Sequence, residues 1–502
     1  MGTKTTRATE ATEGNQRIPA LLNGEAHTAA AWHAVRSPYD GRLLASVPEC
    51  TESDIDLAVE VAKNRLIGPA LPAHERAAIL DRVAAALIDR SEDFAQTLSA
   101  EAAKPISAAR IETSRAVDTL RFSAAATRSF SGEMIPMDAS EAGEGRLGFT
   151  FRVPVGVVAC ISPFNFPLNL VCHKVAPGVA AGVPMVLKPA SATPLSALKL
   201  AHLFEECGLP PGWLNVITCA GATASRLAQH PDVAMITFTG SAEVGWAIRA
   251  SAPKKRIGLE LGNSSPVIVE PDADLGLAAE RIVAGGFSYS GQTCISVQRV
   301  YAHKDIHDEL LERVASLTAE VEVGDPQYGS TVVSSLIDSR AAQRVRDWID
   351  QAGEGGASIV TASVVAESPD SSRLDWDSDR LMAHNIVAPT LLRDVKSDML
   401  VSCDEVFGPV IGFSSYSRLE DAIEASNGTR YGLQAGIFTT RIDTALRAAS
   451  LLQFGGVIIN DTSSYRTDQQ PYGGVKDSGN TREGPGFAIE EMTESRTVII
   501  RG

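Results

Sequence analysis

Apolar segments alternate with segments of helical periodicity over residues 153–262, and this alternation constrains the fold more than any other feature. Residues 153–167 are predicted to form a buried strand followed by a turn, and 184–189 and 234–240 are predicted to form further strands. The segments between them space their apolar residues as helices do. A run of such units favours a doubly wound parallel sheet. A second series begins at about Pro266. We therefore predict an α/β fold.

The composition bounds the number of domains and the class of protein. With 502 residues the chain exceeds the roughly 250–300 at which single cores stop growing, so we expect two or more domains. The net charge of −16 is dispersed, which argues against binding nucleic acid. No window approaches the roughly 18 consecutive apolar residues of a membrane span. Seven scattered cysteines without a CxxC motif indicate reduced thiols in the cytoplasm and no metal site.

Cys294 lies among small and polar residues, with Gly291, Gln292 and Thr293 directly before it. A structural cysteine usually lies in an apolar run, because a free thiol packs as a small hydrophobe. The setting therefore suits a thiol that a ligand approaches. An ordinary semi-buried cysteine is the alternative.

Two polar residues occur where chemistry could require them. Asn165 lies in a turn between prolines, where its amide could donate to a developing oxyanion or only form the turn. Glu260 lies inside an apolar strand segment, beside Gly262. Burial would raise its pKa toward that of a general base, whereas a glutamate at a strand end could also reach water.

Two further segments suit a nucleotide. Gly240 and Gly245 bracket Ser241 where a strand ends and a helix begins, and such a junction offers backbone N–H groups to phosphate. Glu405 precedes Phe407 in a turn, where a carboxylate can hold a ribose diol or cap a helix. Neither pattern is specific alone.

Together these segments resemble the aldehyde dehydrogenase superfamily over about residues 18–502. The matching stretches, in order, are SPFNFPLNL, VLKPAS, FTGSAEVG, LELG, GQTC, DEVFGPV and PYGGVKDSG. The polar start of the chain is predicted to be disordered. The resemblance implies a Rossmann-type cofactor domain, an α/β catalytic domain and a β oligomerisation extension. The expected bounds are 1–16 for the disordered N-terminus, 17–135 and 154–262 for the cofactor domain, and 263–480 for the catalytic domain. The oligomerisation extension is expected to comprise 136–153 and 481–502.

The resemblance also implies the chemistry, which is oxidation of an aldehyde to a free carboxylic acid. Cys294 would form a thiohemiacetal and then a thioester, with the oxyanion held by Asn165. Glu260 would activate the water that hydrolyses the thioester, and Lys174 would assist near this base. The presence of Glu260 argues against transfer of the acyl group to coenzyme A.

NADP or NAD is the implied cofactor. Its expected binding residues are Lys188, Ser191, Gly240, Ser241, Gly245, Leu261, Glu405 and Phe407. Members that prefer NAD often carry Glu where this chain has Ser191. Because no carboxylate repels a 2′-phosphate there, we expect NADP to be admitted.

Arg115 and Arg466 match positions that line the aldehyde tunnel in the family. Two arginines resemble the subgroup that oxidises anionic aldehydes, since a guanidinium suits phosphate, sulfonate or carboxylate. We therefore expect a small polar or anionic aldehyde. The alternatives are that both arginines form ion pairs and that the substrate is a general aliphatic or aromatic aldehyde.

The resemblance implies a homodimer or homotetramer, and the charge and hydropathy of the chain predict no nucleic-acid or membrane partner. Two rival functions stay open on the residues alone. A cofactor-independent cysteine acyl hydrolase would use Cys294 but would leave Ser241 and Glu405 without a role. A non-catalytic protein of the same fold would be expected to have lost Cys294 or Glu260, and both are present.

Overall fold

The computed structural model describes residues 16–362 and 378–501. The predicted disordered segment 1–16 therefore lies outside the described residues except for Gln16. Nineteen strands occur in the described ranges. They are β1 (Ala20–Leu22), β2 (Glu25–His27), β3 (Trp32–Arg36), β4 (Leu43–Pro48), β5 (Met134–Ile135), β6 (Arg146–Pro154), β7 (Val157–Ile161), β8 (Met185–Lys188), β9 (Leu214–Val216), β10 (Val233–Thr239), β11 (Arg256–Glu260), β12 (Ser265–Val269), β13 (Val297–His303), β14 (Ser358–Ala362), β15 (Thr390–Arg393), β16 (Val410–Tyr416), β17 (Gln434–Phe438), β18 (Gly456–Ile459) and β19 (Thr493–Arg501).

Sixteen α-helices occur in the same described ranges, and no helix there is long and apolar enough to cross a membrane. They are α1 (Glu52–Ile67), α2 (Ala73–Asp89), α3 (Ser91–Ala102), α4 (Ile106–Ser129), α5 (Asn169–Ala181), α6 (Leu195–Glu206), α7 (Gly221–Gln229), α8 (Ala242–Ser251), α9 (Leu275–Phe287), α10 (His307–Ala319), α11 (Ser339–Glu354), α12 (Ser378–Ala383), α13 (Leu400–Cys403), α14 (Leu419–Asn427), α15 (Ile442–Leu451) and α16 (Pro485–Glu491). Short 3-10 helices lie at Met137–Ala139, Glu141–Gly143, Ser288–Gly291 and Lys476–Ser478.

The first sheet has seven strands in the order β11-β10-β7-β8-β9-β1-β2. The strands from β11 to β9 run parallel, and β1 and β2 are antiparallel additions. Strands β7 and β8 are buried along their whole length, as expected for parallel strands covered on both faces. Helices α2, α4, α5 and α6 pack on one face, and α1 and α7 pack on the other. The predicted α/β fold class is confirmed.

The second sheet also has seven strands, in the order β14-β15-β16-β13-β12-β17-β18. All pairs are parallel except β14 with β15. Helices α9 and α10 share a buried apolar cluster with β12, β13 and β16 on one face. Helices α14 and α15 cover β12 and β17 on the other. This second series of units places the loop before β13, which carries Cys294.

A separate antiparallel sheet joins the end of the chain to its middle. Strand β19 pairs with β6 over nine residues, from Thr493 opposite Pro154 to Arg501 opposite Arg146, and β5 pairs with the other edge of β6. Strands β3 and β4 form a small two-stranded sheet. The bounds and roles of the predicted domains stay a prediction, because sheet membership alone does not test them.

Candidate active site

A cavity of about 1080 Å³ lies at the carboxyl end of the parallel strands of the first sheet, where ligands of α/β sheets usually bind. It brings together ten of the residues singled out in the sequence. They are Asn165, Lys188, Ser191, Gly240, Ser241, Glu260, Leu261, Cys294, Glu405 and Phe407. Strand ends of the first sheet and loops that connect strands of the second sheet therefore line one cavity.

A strained turn presents Cys294 to this cavity. Tyr289, Ser290 and Gly291 all have left-handed φ angles, of 49°, 56° and 70°. A Cβ on Gly291 would lie 2.2 Å from the backbone oxygen of Gly408, so the close approach requires glycine. The turn is fixed by the Ser290 hydroxyl, which donates to the backbone oxygen of Ser334 at 2.9 Å.

The Cys294 sulfur lies 3.0 Å from the hydroxyl oxygen of Tyr472. Burial raises the pKa of the thiol to about 12. The Tyr472 hydroxyl and the Arg466 charge oppose that rise, whereas Glu405 and Glu260 add to it. The thiol is therefore protonated at rest and has a hydroxyl and a cation close by.

Asn165 is buried, and its side-chain Nδ2 donates to the backbone oxygen of Gln292 at 2.9 Å. Its own backbone oxygen accepts from Lys104 Nζ at 2.6 Å. Lys104 is fully buried, forms an ion pair with Glu112 and lies 3.7 Å from the centre of the Phe166 ring. The Asn165 amide is thus bonded to Gln292, which lies two residues before Cys294 in the chain.

Glu260 ends β11 and lies opposite Thr239 of β10. Its side chain is buried, and neither carboxylate oxygen has a hydrogen-bond partner. Burial raises the pKa of Glu260 well above its usual range, and the neighbouring Glu483 charge raises it further. Arg466 and Lys174 act in the opposite direction. Such a carboxyl group is suited to proton transfer near neutral pH.

Glu483 and Tyr472 were not predicted as site residues. Glu483 is buried, and although burial alone would raise its pKa, Arg466 and Lys174 hold the pKa well below its usual range. Arg466 donates to Glu483 at 2.8 Å, and Lys174 Nζ lies 3.7 Å from it. The sequence offered one indication that Glu483 belongs to the site, which is its position as an acidic residue at the end of segment 478–483. Lys174 thus lies near Glu483 and outside the cavity lining.

Both predicted substrate arginines have carboxylate partners. Arg115 forms a bidentate pair with Asp468, at 2.8 and 3.1 Å. Asp468 also bonds His173 Nε2 at 2.9 Å. Arg466 pairs with Glu483 and lies near His173, and neither arginine lines the cavity described above. Their predicted role as substrate anchors stays a prediction.

The start of α8 faces the cavity. The Ser241 hydroxyl caps the helix by accepting from the backbone N–H of Val244 at 3.4 Å. The backbone N–H of Gly240 donates to the backbone oxygen of Glu260 at 3.1 Å. A Cβ on Gly245 would lie 2.4 Å from the Leu261 side chain, so Gly245 lets the helix approach the strand and does not itself line the cavity.

Two charged groups lie elsewhere in the same lining. Lys188 is buried, which lowers its pKa, and its Nζ lies 3.5 Å from the Ser191 hydroxyl. Glu405 is also buried, which raises its pKa to about 7, and it accepts from the backbone N–H of Asn263 at 3.0 Å. Phe407 has a left-handed φ of 48°, and its ring packs edge-on against Phe164.

The aldehyde dehydrogenase family model matches residues 26–498. The chain belongs to the aldehyde dehydrogenase family. It is 42% identical over 480 residues to the 3-sulfolactaldehyde dehydrogenase of Priestia megaterium, covering 95% of this chain and 97% of that protein. The family, the fold class and the identification as an aldehyde dehydrogenase are confirmed.

Solved structures of the family agree over nearly the whole chain. Aldehyde dehydrogenase 21 from Physcomitrella patens, in complex with the reaction product succinate, is 36% identical with a TM-score of 0.90, covering 98% and 99% of the two chains. The NADP-dependent glyceraldehyde-3-phosphate dehydrogenase from Bacillus halodurans, complexed with NADP, is 33% identical with a TM-score of 0.90. The coverage there is 97% of this chain and 99% of that one.

Within the described ranges, one group of side chains could approach a metal ion together, namely His27, Cys50 and Asp54. The Asp54 carboxylate already has hydrogen-bond partners: it accepts from the backbone N–H and the hydroxyl of Thr51 and contacts His27 at 2.8 Å. The group lies outside the cavity lining.

Proposed function

We propose that the protein oxidises an aldehyde to a carboxylic acid, with NADP or NAD as acceptor, through a thioester on Cys294. The observation that carries the proposal is the single cavity lined by Cys294, Asn165 and Glu260 together with Ser241 and Glu405. A cofactor-independent acyl hydrolase would need the first three residues and not the last two.

The residues of the cavity fit a dinucleotide. Its volume of about 1080 Å³ is large for a small aldehyde alone. The capped N-terminus of α8 at Ser241 suits a pyrophosphate, while Lys188 and Glu405 offer a cation and a carboxylate to ribose hydroxyls. When bound, the nicotinamide supplies the acceptor for the two electrons and the hydrogen that leave the aldehyde carbon.

The first steps use Cys294 and Asn165. The thiol gives its proton to solvent water, and a lone pair of the resulting thiolate forms a bond to the aldehyde carbon. The carbonyl oxygen becomes an oxyanion, to which the Asn165 Nδ2 can donate once it turns from its bond to Gln292. Oxidation of this thiohemiacetal leaves a thioester on the sulfur.

Glu260 serves the second half of the reaction. Its carboxylate takes a proton from water, and the resulting hydroxide attacks the thioester carbon. The carbon–sulfur bond then breaks, which releases the carboxylic acid and regenerates Cys294. Because both oxygens of Glu260 lack protein partners, a water molecule can bind either of them. The charge of Glu483 raises the pKa of Glu260 and the charge of Lys174 lowers it, so both help to set the pH at which Glu260 is ionised.

The proposed substrate is a small polar or anionic aldehyde. Arg466 lies 3.7 Å from the centre of the Tyr472 ring, whose hydroxyl contacts the Cys294 sulfur, so a guanidinium lies one aromatic side chain from the nucleophile. The relatives named for 3-sulfolactaldehyde, lactaldehyde and glyceraldehyde 3-phosphate support the same class. The pairing of Arg115 and Arg466 with carboxylates favours a second candidate, oxidation of neutral aldehydes.

A substrate panel separates the two candidates. Reduced-cofactor formation is measured with NADP and NAD in parallel, using 3-sulfolactaldehyde, succinic semialdehyde and glyceraldehyde 3-phosphate against propanal, hexanal and benzaldehyde. A higher kcat/KM for the anionic set, reduced selectively in Arg466→Gln and Arg115→Gln, supports the anionic class. Equal or better turnover of the neutral set contradicts it.

We also propose that the protein assembles as a homodimer or homotetramer through the sheet of β5, β6 and β19. This sheet exposes large apolar side chains on both of its long strands, which a lone protomer would leave in water. They include Leu147, Phe151, Ile499 and Ile500. Light scattering coupled to size exclusion should give a multiple of 53.1 kDa, and Ile499→Lys should reduce it. A wild-type monomer contradicts the proposal.

A further inference from the structure

Tyr472 contacts the nucleophile Cys294 and has no role in the mechanism proposed above. Its hydroxyl oxygen lies 3.0 Å from the Cys294 sulfur, within hydrogen-bond distance for sulfur. The tyrosine is 2% exposed and packs in a small apolar cluster with Ile295 and Leu433, against Cys294. The ring has no freedom to leave the sulfur without breaking this packing.

The backbone on both sides of Tyr472 fixes its position. Its N–H donates to the backbone oxygen of Glu483 at 3.1 Å, and the N–H of Glu483 donates back at 2.6 Å. A Cβ on the next residue, Gly473, would lie 2.1 Å from the backbone oxygen of Thr481, so the two segments are as close as glycine allows. These backbone contacts therefore fix the Tyr472 hydroxyl beside the Cys294 sulfur.

Arg466 packs against the face of the Tyr472 ring. Its guanidinium carbon lies 3.7 Å from the centre of the Tyr472 ring, a close cation–π contact. A cation on the ring face draws electron density from the phenol and so strengthens its hydroxyl as a donor. Burial, with the neighbouring Cys294, raises the pKa of Tyr472 well above its usual range, so the phenol keeps its proton near neutral pH.

We propose that Tyr472 is a further catalytic residue, whose hydroxyl donates a hydrogen bond to the Cys294 sulfur and stabilises the attacking thiolate. The inference rests on the proposed function, because it needs Cys294 as the nucleophile. In the neutral pair either atom can donate, and a thiol is a weak partner. In the thiolate only Tyr472 can donate, and a hydrogen bond to a charged acceptor is the stronger one. The contact therefore favours the charged form.

The charged and titratable groups that face the sulfur are Tyr472, Arg466, Glu405 and Glu260. Arg466 favours the thiolate, whereas the two carboxylates oppose it when ionised. Of these four groups, Tyr472 is the one that makes a hydrogen bond with the sulfur, at 3.0 Å. Removing its hydroxyl leaves the charges in place and deletes one contact, which makes the inference testable.

Tyr472→Phe is the test variant, because it keeps the ring, its packing and the contact with Arg466. Alkylation by iodoacetamide is followed at the Cys294 peptide by mass spectrometry over a range of pH, beside kcat/KM for the preferred aldehyde. At neutral pH we expect both rates to fall roughly ten- to hundredfold, with the alkylation profile moved to higher pH. Difluorotyrosine at position 472, a stronger donor of similar shape, should move the profile to lower pH.

Tyr416→Phe is the matched control. Its hydroxyl is also buried and donates to the backbone oxygen of Val269 at 3.1 Å. Tyr416 pairs with His303 at the far end of β13, a strand of seven residues that begins just after Cys294. The length of this strand puts Tyr416 about 20 Å from Cys294. The control should lose stability without any change in Cys294 alkylation.

The outcomes separate this inference from the proposed function. An unchanged alkylation profile in Tyr472→Phe overturns the inference, even where turnover falls, because a purely structural role would leave the thiol titration unmoved. Full dehydrogenase turnover in Cys294→Ala overturns the proposed function and the inference with it. A shifted profile in Tyr472→Phe, with Cys294→Ala inactive, is the expected result.

Discussion

Replacing Glu260 by glutamine tests the division of labour between acylation and hydrolysis. The side chain is buried, both of its oxygens lack protein partners, and glutamine keeps its shape while removing the base. A positioned general base contributes roughly 10²–10⁴-fold, which corresponds to about 3–5 kcal/mol of the hydrolysis barrier. Formation of the thioester does not use this base. Steady-state kcat should therefore fall by that factor, while the first turnover stays fast.

Stopped-flow absorbance of the reduced cofactor gives both quantities in one trace. Glu260→Gln should show a burst of about one reduced cofactor per active site, followed by a slow steady rate. In the wild type, kcat should fall as pH drops through the raised pKa of Glu260, since the base works only when ionised. This acid limb should be absent in the variant. The exposed helix residue Glu280 provides a control, Glu280→Gln, which should match the wild type.

Two results would contradict this role of Glu260. An unchanged kcat in Glu260→Gln would show that another group activates the water. Loss of the burst in proportion to kcat would show that Glu260 acts before or during oxidation, and not in hydrolysis.

Three further predictions follow from the same geometry. Ser191→Glu places a carboxylate beside Lys188 in the cavity, and it should lower kcat/KM for NADP by roughly tenfold relative to NAD, measured with both cofactors. Glu483→Gln removes the negative charge that raises the pKa of Glu260, so the acid limb of the kcat–pH profile should move to lower pH; an unmoved limb would contradict the coupling. Gly291→Ala forces a Cβ to within 2.2 Å of a backbone oxygen at a φ of 70°, and it should destabilise the fold by about 1–3 kcal/mol in thermal unfolding and abolish most activity; unchanged stability would contradict the strained turn.

Local sequence patterns predicted the α/β architecture, whereas the candidate site residues were assigned only once the ordered motifs resembled the aldehyde dehydrogenase superfamily. Strands β7 and β8 are continuous apolar runs, and such runs are what a doubly covered parallel sheet requires. Cys294 and Glu260 stood out because each conflicts with its immediate surroundings, a thiol among polar residues and a carboxylate in an apolar strand. The structure places both in one cavity.

The contacts that tune these residues could not be predicted locally, because they join distant parts of the chain. Tyr472 and Cys294 are 178 residues apart, and Arg115 and Asp468 are 353 apart. Their meeting depends on how the two sheets and the final segment pack together. Glu483 illustrates the same point, since only its burial beside Arg466 reveals that it stays ionised.

The most direct test of the proposed mechanism is the mass of the enzyme during turnover. Glu260→Gln is mixed with an aldehyde and excess NADP, quenched in acid, digested and analysed by mass spectrometry. An acyl group is expected on the Cys294 peptide, and it should be absent when NADP is omitted and in a Cys294→Ala background. An unmodified Cys294, or an acyl group on a different residue while reduced cofactor accumulates, would contradict it.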